Sequence, residues 1–349
     1  MNKIRTSILL LTLAFTCQRG VTYAQDMHFS QAAASPMHLN PACTGAFTGD
    51  LRVVMNYRNQ WNSVSVPFRT MAASIDAPIL KNRWSKGYLG AGMMAFSDRA
   101  GDGRLTNNGM NLYLSSTQML AEHHLLSVGL QSTFAQRSID YSAFQWGSQY
   151  DGMEYNQSLP SGESSGTGQV FYADITGGLA WQFSQGEGQR KMSFSNGMAL
   201  HHINTPNANP LKTDGDPLKM RFVLHGNGLI SIPNTNVSWN PGYWFMKQGS
   251  ANELVIGTNI RYGLGQASRY TGAKKESAVV MGVWYRNKDA IIVTGRIDFQ
   301  DYKLGISYDL NSSQLSSASN VKGGPELLIS YIKPIKQSRE GSLKNVRFL

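Results

Sequence analysis

Apolar and aromatic side chains recur at every second position along most of this chain, from about Leu51 to Lys333, with Gly, Ser, Asn, Asp and Gln between them. Residues 170–183 are the clearest case. Phe171, Ala173, Ile175, Gly177, Leu179, Trp181 and Phe183 fall on one side, and Tyr172, Asp174, Thr176, Gly178, Ala180 and Gln182 on the other. Side chains alternate across a strand, so each such stretch has one greasy surface and one wet one. Leu126, Val128, Leu130 and Phe134 oppose Ser127, Gly129, Gln131 and Thr133 in the same way. Val279, Met281, Val283 and Tyr285 stand against Ala278, Val280, Gly282 and Trp284, a strand apolar on both sides that predicts a packed second face.

The pattern predicts about fourteen strands, near 51–58, 68–76, 87–96, 109–119, 124–137, 169–184, 191–203, 219–232, 237–247, 253–264, 277–286, 290–299, 302–310 and 324–333. A soluble sandwich alternates too, but a membrane barrel turns the greasy faces out to lipid and the wet ones into the lumen. Connection lengths favour the barrel, because bacterial barrels have an even strand number, short periplasmic turns and longer outer loops. With the N-terminus in the periplasm, the long stretches 97–108, 138–168 and 204–218 fall outside, and the short ones 120–123, 233–236 and 300–301 fall inside. Three connections run against this sorting: the short outer ones at 248–252 and 287–289, and the long inner one at 265–276, which contains Lys274 and Lys275. The expected fold is all-β: a transmembrane antiparallel β-barrel over 51–333, after a cleaved signal peptide.

That signal is residues 1–24, where Lys3 and Arg5 precede an apolar core from Ile8 to Phe15 and a small-residue exit at Thr22, Tyr23 and Ala24. Lipid attachment at Cys17 is the rival, and Phe15 and Thr16 before it suit that poorly. No apolar run reaches about 18 residues, so a membrane-spanning helix is not predicted. Removing 24 of 349 residues leaves 325, with Cys43 as the one cysteine and no internal disulfide. Loss of Lys3, Arg5 and Arg19 takes the net charge from +10 to +7. For an exported chain without a nucleic-acid motif, this excess points to a charged surface and no nucleic-acid partner. The mean hydropathy is below zero. A barrel tolerates that, because only half of each strand meets lipid. The 35 Gly suit tight turns and close lumen packing, and the 15 Tyr and 7 Trp suit interfacial girdles. No internal repeat is visible, which disfavours a propeller.

Residues 25–50 form a lead-in punctuated by Ser35-Pro36 and Asn40-Pro41-Ala42, which break strands and begin turns. One reading folds it into the periplasmic mouth as a plug or docking surface, with Gln31, Ser35, Pro36, Asn40, Pro41 and Gly45 as the candidates. The other is a turn-rich segment that merely starts the first strand. Arg52, Arg58, Arg69 and Asp76 in the first two strands form a candidate lumen network, read either as buried ion pairs or as a selective constriction of opposed charges. The tail, 334–349, carries Lys336, Arg339, Lys344 and Arg347 against Glu340. It is either a basic arm for an acidic periplasmic partner or a solvated end. Neighbouring histidines on a strand point to opposite faces, so His123-His124 and His201-His202 do not form chelating pairs, and no metal is expected. A phospholipase would need a nucleophile beside a histidine such as His28, His38 or His225, and no nucleophile motif is present. No catalytic residues and no cofactor are expected.

The lead-in residues Gln31, Ser35, Pro36, Asn40, Pro41, Ala42 and Gly45 match the pattern Q-x-x-x-S-P-x-x-x-N-P-A-x-x-G. After them come Asn56-Tyr57-Arg58, Gln60-Trp61 and Pro67-Phe68 with Thr70. A second block holds Gly282, Trp284, Tyr285, Arg286, Asp289, Gly305, Tyr308, Asp309 and Gly323-Gly324-Pro325-Glu326. In this ordered combination the chain resembles the PorP/SprF family of outer-membrane proteins of the type IX secretion and gliding machinery. It departs at its end, Arg347-Phe348-Leu349, where many members have a cysteine, a proline, a basic residue and a final aromatic. The resemblance implies a noncatalytic outer-membrane barrel that supports secretion or surface attachment of particular cargo, commonly adhesins with a C-terminal signal. It also implies association with a ring lipoprotein and its periplasmic partner, and in some members with an OmpA-like peptidoglycan-binding protein. A pore or transporter for small or hydrophobic solutes is the alternative.

Overall fold

The computed structural model describes residues 26–60, 66–84, 86–101, 103–162, 167–186, 190–210, 217–265, 277–312 and 322–334. The signal reading at 1–24 and the basic tail beyond Pro334, with Lys336, Arg339, Lys344 and Arg347, lie outside the described residues, as do Lys274 and Lys275.

Fourteen antiparallel strands close into one barrel, each paired with its chain neighbours and the first with the last. They are β1 (Leu51–Gln60), β2 (Phe68–Trp84), β3 (Gly87–Ala100), β4 (Leu105–Ala121), β5 (His124–Asp140), β6 (Thr167–Gln185) and β7 (Met192–His201). The second half continues with β8 (Arg221–Ser231), β9 (Val237–Gln248), β10 (Ala251–Gly265), β11 (Ser277–Arg286), β12 (Ala290–Phe299), β13 (Tyr302–Asn311) and β14 (Lys322–Lys333). Closure leaves no sheet edge, which is what a strand protein needs where no water is available to satisfy backbone groups. Among the described residues, no helix is long and apolar enough to cross a membrane.

Alternation sets the two faces. On β13, Tyr302, Leu304, Ile306, Tyr308 and Leu310 are exposed outward, while Gly305, Ser307 and Asp309 are buried inward. On β6, Phe171, Ile175, Leu179 and Trp181 face out, and Asp174, Thr176 and Ala180 are buried. Trp181, Phe183 and Phe194 stack along the outer surface with ring centroids 6.5 and 6.4 Å apart, beside His124, as an aromatic girdle. The doubly apolar β11 is packed inside: Trp284 meets Trp244 at 5.2 Å, in a cluster with Val255, Ile292 and the lead-in residues Ala32 and Leu39.

Both described ends of the barrel, Leu51 and Lys333, pair with each other and define the inner end. The longest connections, 141–166 and 202–220, lie at the other end, which is the outer one. Three segments differ from the sequence reading. The stretch 97–108, expected as a long outer loop, is mostly strand, with pairing carried out to Ala100 and Leu105. There the strands stand in water on both faces, so polar residues such as Asn107 and Asn108 continue the ladder without alternating. β5 and β6 extend upward for the same reason. β2 continues past Pro78, which stays in register with Gly90, to Trp84, with a register shift between Ile79 and Trp84 and Leu80 at φ 55°.

If the exposed rows meet hydrocarbon, Ile306→Lys places a charge in the bilayer. It should lower the barrel's unfolding free energy by about 2–4 kcal/mol in lipid vesicles, read by urea titration. An unchanged midpoint would mean that this face meets water.

Candidate functional site

The lead-in lies inside the barrel. It runs along the lumen from Asp26, in the outer half beside Gln248 at the outer end of β9, down to Asp50, which bonds to Lys333 at the inner end. It therefore spans much of the lumen's length and is not confined to the inner mouth. Three short turns, Ala32–Ala34, Pro36–Leu39 and Pro41–Cys43, keep it compact. Pro36 and Pro41 begin the latter two, where a missing N–H costs nothing.

Asn40 is the hub of the middle stretch. Its Oδ1 accepts from the amide of Ala42 at 2.9 Å, capping the last turn. Its Nδ2 donates to the carbonyls of Leu179 at 2.8 Å and Met198 at 3.2 Å, main-chain groups of β6 and β7. Glycines in the wall make room: a Cβ at Gly178 would strike the Asn40 amide, and one at Gly129 would strike the Pro41–Ala42 peptide. Ser35 donates to Asn56 on β1. Gly45, at φ +70°, turns the chain so that its amide donates to Asp76 at 2.7 Å, with its Cα side pressed against Gly90. Cys43 is buried between these contacts, and that burial pushes its thiol up to about 12.

Two charged clusters hold the outer half. In the first, Ser30 and Gln31 donate their amides to Glu326 at 2.6 and 3.0 Å, and the Ser30 hydroxyl donates to Asp309 at 2.7 Å. Arg58 donates to Asp309 at 2.7 Å and to the carbonyl of His28 at 2.6 Å; Arg286 donates to Asp309 at 3.0 Å and to the Ser30 hydroxyl at 2.8 Å. Apart from His28, which is half-buried, these residues are buried. In the second cluster, His202 bridges Asp26 and Asp174, at 2.5 and 2.9 Å, with Arg221 3.6 Å from Asp26. Burial works against a charged His202, but the carboxylates of Asp26 and Asp174 outweigh it and raise its pKa to about 9. Burial likewise opposes ionisation of Asp26, and His202 and Arg221 reverse that, holding the carboxyl well below its usual range.

The candidate network of Arg52, Arg58, Arg69 and Asp76 divides. Arg52 and Asp76 face each other across β1 and β2 and form a two-point pair at 2.9 and 2.7 Å, with Arg52 also over the Phe47 ring at 4.6 Å. Arg58 belongs to the separate outer cluster. Arg69 belongs to neither: inward positions on β2 are even-numbered, so Arg69, the second residue of that strand, is exposed on the outward face at the outer rim. Arg286, Asp309 and Glu326 complete the cluster around Arg58, although none was singled out as a site residue. They were visible as members of the second motif block, but strand closure, not spacing, brings them to Arg58: Glu326 is its register partner across the β1–β14 seam. His28 and His38 belong to the lead-in itself, His38 near the Met27 carbonyl, and His225 meets it from β8, near Asn40. Among the described residues, no group of three or more His, Cys, Asp or Glu could hold a metal ion.

The family described as type IX secretion system membrane protein PorP/SprF matches residues 21–331. Among curated proteins no relative matches. Similar solved structures include the CymD monoaromatic hydrocarbon channel, 13% identical, covering 91% of this chain and 96% of that one with a TM-score of 0.48. A Pseudomonas aeruginosa FadL homologue is 11% identical, covering 86% and 94%, with a TM-score of 0.45.

Because His202 is raised from 6.5 to about 9, its contribution to holding the lead-in is complete below about pH 6.5 and is lost as pH rises through about 9. Asp26 stays charged throughout that window. Amide exchange corrected for intrinsic rate should therefore quicken at residues 26–31 between pH 7 and pH 10, while residues 40–45, held by Asn40 and Asp76, keep their protection. Equal change in both segments would contradict the His202 tether.

Proposed function

This chain belongs to the PorP/SprF family of type IX secretion system membrane proteins, and on that premise we propose that it acts as a noncatalytic outer-membrane anchor for particular secreted cargo, docked to the machine's periplasmic ring. The protein is an outer-membrane β-barrel. Its cargo is proposed to be a surface adhesin carrying a C-terminal signal. Its inner end is proposed to meet the ring lipoprotein and that lipoprotein's periplasmic partner, with an OmpA-like peptidoglycan-binding protein as a further neighbour.

The observation that supports this reading best is the lead-in clamped in the lumen by Arg58, Arg286, Asp309 and Glu326. A conduit for a folded or extended cargo would need that segment to leave, stripping Glu326 and Asp309 of the Ser30 and Gln31 hydrogen bonds and separating Asp26 from His202 and Arg221, where leaving a buried charge unpaired costs about 3–5 kcal/mol. A plugged barrel better suits attachment at its rims than passage through its middle. The outer rim offers the hairpin around Tyr150 and Tyr155, organised by Gln149 and with Met153 90% exposed at its tip. The same filling argues against the small-solute pore.

Affinity purification of the full chain from outer membranes tests the proposal. A surface adhesin and ring proteins should come with it. Recovery of the barrel with lipid alone, under conditions that keep the ring intact, would contradict it.

A further inference from the structure

The lumen is charged differently in its two halves. In the outer half, carboxylates match the cations: Arg58 and Arg286 have Asp309, Glu326 and Glu253 around them, and Arg221 and His202 have Asp26 and Asp174. Below the lead-in the described cations outnumber the described carboxylates. A cavity of about 1330 Å³ extends from the underside of the lead-in at Gln31 and Leu39 to the inner-end turns at Asn236, Asp301 and Pro334. Apart from Arg52, which Asp76 neutralises, its described walls carry Arg190, Lys191, Arg261, Arg296 and Lys303 against Asp298 and Asp301.

The centre of this excess is Asp298, with two cations paired to it and a third on the neighbouring strand. Arg296 donates to Asp298 at 2.8 Å, Arg261 approaches the same group at 3.6 Å, and Lys303 is the register partner of Asp298 on β13. Among the described residues Lys303 has no carboxylate within ion-pair distance. A concave wall of low polarisability focuses such a field and draws in anions. Polar atoms in the same walls also lack partners: Gln182 Oε1, Ser193 Oγ and Asn240 Oδ1 are buried without a hydrogen bond. Two of them, the amide oxygens, can only accept. A peptide supplies both what the cations need, in its carboxylates, and what these oxygens need, in its N–H groups; a simple anion supplies chiefly the first.

We infer that this inner vestibule is a docking site for an extended acidic segment of a periplasmic protein. The chain's own tail does not suit it, since the residues after Pro334 bring Lys336, Arg339, Lys344 and Arg347 against Glu340 to a cavity that is already basic. The inference rests on the proposed docking to the periplasmic ring and gives that contact a chemistry.

Fluorescence anisotropy on the detergent-purified full chain tests it, with a labelled short peptide of alternating glutamate and serine as probe. A glutamine-and-serine peptide and inorganic phosphate serve as comparators. The acidic peptide should bind, more weakly as salt rises. Lys303→Gln should weaken binding about fivefold, and Asp298→Asn, which removes the shared carboxylate, should tighten it by a similar factor. The opposite signs guard against simple loss of fold, and the heat-dependent gel shift of a folded barrel checks each variant. Equal binding of the neutral peptide would overturn the inference, as would indifference to both substitutions or a response to phosphate alone. No ring component or cargo is present in this assay. An empty result therefore removes the vestibule site and leaves the co-purification result standing, while peptide binding without co-purified ring proteins keeps the site and removes the secretion role.

Discussion

A guanidinium buried inside a barrel must be matched by carboxylates, and Arg58 and Arg286 are matched around the backbone of the lead-in. Desolvating such groups costs several kcal/mol per ion, which only close and fully bonded geometry repays. Here the bonding includes Ser30 and Gln31: their amides fill Glu326, and the Ser30 hydroxyl joins Asp309 to Arg286. Strand closure and lead-in docking are thereby coupled, since Glu326 belongs to the last strand, Arg58 to the first and Ser30 to the segment before both. Withdrawing the lead-in would leave Glu326 and Asp309 buried with fewer partners than charges require.

From that coupling follows the division of the lumen. Where the lead-in packs, apolar contacts such as Leu39 against Trp244 and Val223 accompany balanced charge. Where it leaves room, the walls are hydroxyl- and amide-rich, and their described cations outnumber their described carboxylates. The first half behaves as a core that happens to contain ions. The second resembles a binding surface, opening on the side from which periplasmic proteins approach an outer-membrane barrel.

Much of the barrel was legible in the chain because lipid on one side and a filled lumen on the other enforce a period of two. β6 and β13 show it residue by residue. Legibility failed where that constraint lapses. Beyond the bilayer both faces of β3 and β4 meet water, so 97–108 looked like a loop. On β2 the strand was expected to end at 76, yet it pairs in register through Ile79 and continues past a local irregularity to Trp84. Parity was available for Arg69 and assigns it to the outward face, away from Asp76 on the same strand. For the site, Asn40, Ser35 and Gly45 were identifiable as turn-formers, but the direction of the lead-in was not: that depends on contacts with strands more than a hundred residues away, such as Leu179 and Met198. Arg286, Asp309 and Glu326 stood in the second motif block, and only the seam between β1 and β14 explains why they serve Arg58.

The central claim is that the lead-in closes the lumen as an integral part of the folded barrel. Single-channel recording of the purified full chain in planar bilayers at neutral pH tests it most directly. The account requires a quiet membrane, with no steady conductance step on insertion. A stable open pore from the intact protein would contradict it.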